Sequence, residues 1–165
     1  MNFNTSRRLF LGLFATTLVT PLLSSSAFAH EAPCPYCNQT VTQDTPTQDN
    51  EVALKIGRKR IEYKCVYCAL SEAATEYEGD LSILAPSEKK GEPVLLKRTG
   101  SKWSASSDDV TFVFKQPLKH PICQEQARAF STKAAATVYL AANKDKLPDA
   151  RTLSLAEMVE ITKGK

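Results

Sequence analysis

Histidine is scarce in this chain: His30 and His120 are the two present among 165 residues. Beyond the initiator, methionine occurs once, at Met158. No Ser-His-Asp set, no paired catalytic carboxylates and no glycine-rich phosphate loop stand out, so hydrolytic and phosphoryl chemistry have no visible home and no enzyme activity is expected. After the first 29 residues no long apolar run remains, which excludes a membrane span from the rest of the chain, since a spanning helix needs about 20 apolar residues. Charge of either sign is lacking in excess. Removing Arg7 and Arg8 from the 21 basic residues leaves 19 against 18 acidic ones. That balance carries no electrostatic footprint for nucleic acid. The one basic cluster, "GRKR" at Gly57–Arg60, reads as a hairpin turn.

What is present begins with a leader. "SRRLFL" sets Arg7 and Arg8 directly before an apolar stretch that runs from Leu9 to about Leu23 and exits through Ala27-Phe28-Ala29. A positive start, a short apolar middle and a small-x-small exit describe an export signal. The arginine pair, with Ser6 before it and Phe10 and Leu11 after, fits the twin-arginine type, whose route carries folded proteins. The expectation is a signal peptide over 1–29, cleaved after Ala29, and a mature chain of 136 residues in a periplasmic space.

The cysteines follow: Cys34, Cys37, Cys65, Cys68 and Cys123. Five is odd, so simple disulfide pairing in an oxidising compartment leaves one over. Two pairs share the Cys-x2-Cys spacing, "CPYC" and "CVYC", and 27 residues lie between them. Two thiolates so spaced on a tight turn aim at one ion. Two such pairs complete the S4 set of Zn(II), or offer a subset to softer Cu(I). Asn38, after the first pair, tolerates the left-handed backbone that a metal knuckle needs.

Periodicity gives the frame. "EVALKI" alternates, Gly57 breaks the run, and "RIEYK" resumes it, which predicts a β-hairpin pairing Glu51–Ile56 with Ile61–Lys64. It runs straight into "CVYCALSEAATEY", where helical spacing of Ala69, Leu70, Ala73, Ala74 and Tyr77 predicts a helix that Gly79 stops. Amides at that helix start can face the thiolates and lower their pKa. "DLSILA", "PVLLKR" and "DVTFVF" read as strands, "STKAAATVYLAAN" as a helix with Ser131 as possible N-cap, and "SLAEMVEI" as a short helix with a Ser154–Glu157 capping box. Trp103, Phe112, Phe114 and Tyr139 are assigned to packing, and Met158 to a core face with Leu155 and Ile161.

Two other readings compete with metal. Cys-Pro-Tyr-Cys is a glutaredoxin tetrapeptide, but a thioredoxin-like fold needs a strand before it and a helix after it. Disulfides Cys34–Cys37 and Cys65–Cys68 would close loops worth only about 2 kcal/mol each. His120 stands three residues before Cys123, so the two can share an ion as secondary or transfer ligands, or Cys123 can simply be buried. His30, with a free amine after cleavage, can chelate copper.

Knuckle, hairpin and a second Cys-x2-Cys at a helix start follow the order of treble-clef zinc and heavy-metal-binding fingers. "CPYCNQTV", "VALKIGRKRIEYKC" and the run from "KWSASSDDVTFVF" to "LSLAEMVEI" together resemble the NosL-type copper-binding proteins. That resemblance implies a small α+β fold that binds Cu(I) outside the cytoplasm and assists delivery to a periplasmic metalloenzyme or a metal transporter. The family's Gly-Met after the opening cysteines is Asn38-Gln39 here, which shifts the expected site toward sulfur alone and keeps Cu(I) and Zn(II) both open. The expected organisation is a leader (1–29), a Cys-rich treble-clef-like subdomain (30–79) and a NosL-like strand-strand-strand-helix part (80–165). Cys34, Cys37, Cys65 and Cys68 are the candidate ligands, with His120 and Cys123 as additions. A non-enzymatic scaffold module with a structural zinc, and a periplasmic thiol-disulfide oxidoreductase, are the alternatives.

Overall fold

The computed structural model describes residues 30–43, 51–117 and 125–163. The leader, His120 and Cys123 lie outside the described residues. The described chain is mixed α+β. Strands β1 (His30–Pro33) and β2 (Thr40–Gln43) form a two-stranded antiparallel ribbon, paired from His30↔Gln43 to Pro33↔Thr40. The predicted hairpin follows as β3 (Val52–Ile56) and β4 (Lys59–Tyr63), joined through Gly57 at φ +56. A side chain would be strained at that angle, and glycine is not.

Helix α1 (Val66–Thr75) begins three residues after β4 ends, with Cys65 as its N-cap. It stops at Thr75, four residues before Gly79, whose φ of +77 turns the chain toward the next strand. Strands β5 (Leu81–Ala85), β6 (Val94–Thr99) and β7 (Lys102–Ala105) add to the hairpin in the order β4-β3-β5-β6-β7. One sheet therefore crosses the Gly79 division, because β3 from residues 30–79 is hydrogen-bonded to β5 from residues 80–165. Alternation is plain in β5, where Leu81, Ile83 and Ala85 are buried, and in β6, where Val94, Leu96 and Arg98 are. These residues put one face of the sheet against α1.

Strands β8 (Thr111–Pro117) and β9 (Glu125–Phe130), then helix α2 (Lys133–Ala142), strand β10 (Arg151–Leu153) and helix α3 (Leu155–Thr162), complete the order. The second sheet runs β10-β8-β9. Helix α1 packs between β3 and β4 of the first sheet, β9 of the second, and α3. Its Val66, Tyr67, Cys68, Ala69, Leu70, Ser71 and Ala73 are all buried. The other side of the second sheet is covered by α2, through Val113, Phe130 and Ala136. Phe112, Phe114 and Met158 are core residues, as expected, and Tyr139 packs on Phe130 at 5.1 Å between ring centres.

Four strands stand where the sequence reading placed loop or gave no strand, β1 among them, whose "HEAP" carries no apolar alternation. In β9, "EQARAF" buries Ala127 and Ala129, residues too small to give an apolar alternation signal. Strand β7 is four residues of mixed polarity, and β10 is three residues long. The α2 cap is also corrected. Thr132, not Ser131, accepts from the Ala135 N–H at 3.1 Å. Ser131 instead donates its N–H to Glu88 Oε2 at 2.8 Å, and its hydroxyl donates to the same carboxylate. The Ser154–Glu157 capping box forms as read, a device worth about 1 kcal/mol.

Candidate metal centre

The first pair of cysteines sits in the turn of the β1–β2 ribbon. Cys34 donates its N–H to Gln39 O at 2.9 Å, and Asn38 returns its N–H to Cys34 O at 2.8 Å. Closing a turn this tight requires Asn38 to adopt φ +57, the left-handed conformation that asparagine tolerates best among ordinary residues. The second pair straddles the start of α1: Cys65 is extended, at φ −154 and ψ 169, and Cys68 lies in the first helical turn.

The ribbon turn is laid on the helix start, where three of the four thiols converge. Cys34, Cys37 and Cys68 place their sulfurs within 4.8 Å of one another. Cys65 Sγ is 3.4 Å from Cys68 Sγ. No disulfide joins any of the four, and none is more than 2% exposed. Thiolates on a zinc-sized ion at about 2.3 Å stand roughly 3.8 Å apart. The sulfur set has the dimensions and the softness for a d10 cation. Among the described residues, Cys34, Cys37 and Cys68 are the group of three or more metal-type side chains that meets in this way. His30 is elsewhere, on exposed β1, with Nδ1 3.4 Å from Glu62 Oε2.

The electrostatics separate the thiols. A hydrogen bond from the Cys68 side chain brings Cys34 from the ordinary thiol value of 9.0 down to about 5, against burial, with help from the backbone N–H groups of Lys64, Cys37 and Tyr36. Burial pushes Cys37 up, and the Cys34 charge adds to the rise. In the metal-free protein a thiolate therefore persists at neutral pH. Its ultraviolet absorbance should disappear with a midpoint near 5 when the protein is acidified, and the step should be absent in Cys34→Ser. A folded pKa below the unfolded one stabilises at high pH. The contribution is full above about 9, declines as pH falls and is gone near 5. A midpoint near the ordinary thiol value would contradict this arrangement.

Tyrosine was not read as part of the site, although it occupies the third place of both tetrapeptides. Tyr36 and Tyr67 meet edge to face, 6.1 Å apart and at 77°, and Tyr67 packs on Phe114 at 5.8 Å. Such contacts add about 1 kcal/mol beyond burial and clasp the two Cys-x2-Cys turns together. The signal for it in the sequence is the shared Cys-x-Tyr-Cys pattern of "CPYC" and "CVYC". Glu72 lies one helical turn after Cys68. Burial raises its carboxyl pKa, and the charges at Cys34 and Glu76 raise it further.

No family model matches the chain, and no curated protein does. Among solved structures it is similar to the mercury-bound form of MerB2, with a TM-score of 0.50 and 16% identity over 68% of this chain. The match spans 56% of that protein's chain. At this identity the likeness is one of fold.

Proposed function

We propose that this protein binds a soft, sulfur-seeking metal ion between the β1–β2 turn and the start of α1. The observation that carries it is the convergence of the buried Cys34, Cys37 and Cys68 sulfurs within 4.8 Å. Cu(I) and Zn(II) suit such thiolates, and the likeness in fold to a mercury-bound protein adds Hg(II). Burial bears on the role. With every sulfur 2% exposed or less, release needs an opening of the ribbon or an incoming ligand, so the site is built to hold its ion. Metal buffering or sequestration is the reading that follows. Export by the twin-arginine leader, and NosL-like delivery of copper to a periplasmic enzyme or transporter, are its finer form; they rest on the leader and the order of motifs in the sequence. His120 and Cys123 belong to that finer form as transfer ligands.

The same burial favours a second reading, a zinc that merely folds the ribbon onto α1, because closed sites are the structural kind. The redox reading has less to stand on. Cys34 and Cys37 lie between two strands of a hairpin, not where a strand meets a helix.

Native mass spectrometry of anaerobically purified protein, with elemental analysis of the same sample, tests the proposal. One ion per chain is expected, and Cys68→Ser should lower its affinity by more than about a hundredfold, the upper range for losing even an outer partner of a ligand. A metal-free mass lighter by two or four hydrogens would mean disulfides, and the proposal would fail. Transfer of the ion to a competing dithiol within minutes would separate a buffer from a structural zinc.

A further inference from the structure

The four cysteines are not equivalent. Cys34, Cys37 and Cys68 form a closed triangle, whereas Cys65 touches Cys68 at 3.4 Å but does not lie within 4.8 Å of all three. Their supports differ as well. Cys34 and Cys37 are held by the tight ribbon turn, and Cys68 by the first turn of α1. Cys65 has extended backbone at the junction of β4 and α1, beside half-buried Lys64. Its sulfur stands beside the triangle and 3.4 Å from the Cys68 sulfur, close enough to take over a ligand position from it.

Resting on the metal-binding reading above, we propose that the resting ion is held by three thiolates, Cys34, Cys37 and Cys68, and that Cys65 is the exchange ligand through which it enters and leaves. A three-sulfur set suits ions that accept low coordination, Cu(I) and Hg(II), over Zn(II), which takes four ligands in closed sites. The exchange step is balanced. The Cys65 sulfur bonds the ion as the Cys68–metal bond breaks, and the proton shed by Cys65 passes to the Cys68 sulfur across their 3.4 Å contact. Ligand number and net charge do not change. The ion then sits at the strand-to-helix junction beside half-buried Lys64, where an outside thiol can replace the Cys65 sulfur once the ribbon opens.

X-ray absorption of the Hg(II)- and Cu(I)-loaded full chain, wild type and Cys65→Ser, counts the sulfurs, and stopped-flow transfer to dithiothreitol times release. Three sulfurs are expected in both proteins, with affinity within about threefold and transfer at least about tenfold slower in the variant. Cys65→Ala, checked for fold by circular dichroism, should behave as Cys65→Ser. Four sulfurs in the wild type falling to three in the variants, with a large loss of affinity, would overturn the proposal and leave metal binding intact. Equal transfer rates would overturn it too. Failure of the wild type to retain either ion would sink the metal-binding reading itself.

Discussion

Withdrawing the ion from loaded protein with a strong chelator should raise amide hydrogen exchange in residues 30–43 and 64–68 by at least about a hundredfold, while β5, β6 and α3 keep their protection. The reason lies in how little else holds the ribbon. Among the described residues, β1 and β2 pair with each other and with no third strand. An isolated two-stranded hairpin is marginal in water. The ribbon's buried residues are Cys34, Cys37 and Val41, so two of its three anchors are thiols. A structural thiolate site contributes on the order of 10 kcal/mol in small zinc-folded units, far more than one valine and one tyrosine contact can supply. Peripheral polar contacts remain, such as Lys64 Nζ to Thr40 O at 2.9 Å and Gln43 Nε2 to Glu51 Oε1 at 3.1 Å, but each is worth about 1 kcal/mol. Exchange unchanged on metal removal would mean that the ribbon is held by these contacts, and that Cys34 and Cys37 are not ligands.

Arg98→Met should lower the unfolding free energy by about 3 kcal/mol. Arg98 lies on β6 and is 8% exposed. Its guanidinium donates to Gly79 O at 2.9 Å, to Tyr77 O at 2.6 Å and to Ala73 O. Ala73 is in the last turn of α1, where carbonyls have no partner within the helix. That last turn carries no basic residue of its own, so a neighbouring strand supplies the cation that the helix C-terminus favours. Methionine keeps the packing of the stem and removes every donor. Urea unfolding followed by Trp103 fluorescence would measure the loss, since Trp103 stacks on the guanidinium at 5.8 Å. Arg98→Lys should recover part of it, with one ammonium in place of a three-way fork. A loss below about 0.5 kcal/mol would show that water replaces the guanidinium at these carbonyls.

Much of this architecture was legible before any coordinates. The β3–β4 hairpin, α1, β5, β6, β8 and α3 follow from alternation, helical spacing and a capping box, which are local signals. The strands that escaped are those whose partners define them. β9 buries alanines, too small to give an apolar alternation signal, and is defined by its pairing with β8 and its packing on α1.

The site divides in the same way. Spacing alone determined that Cys34 with Cys37, and Cys65 with Cys68, are local pairs, since two residues between thiols on a turn allow little else. Asn38 likewise announced its own left-handed turn. Only the tertiary structure decided that the two pairs face each other, because 27 intervening residues include no signal for where a ribbon lands. The landing is set by the clasp of Tyr36 on Tyr67 and by the burial of Val41 against the core around α1. The inequality among the thiols is also tertiary. Two Cys-x-Tyr-Cys tetrapeptides become a pair within one hairpin turn and a divided pair at a helix start, because Cys65 is the extended N-cap of α1 and Cys68 lies in its first turn, inside the triangle.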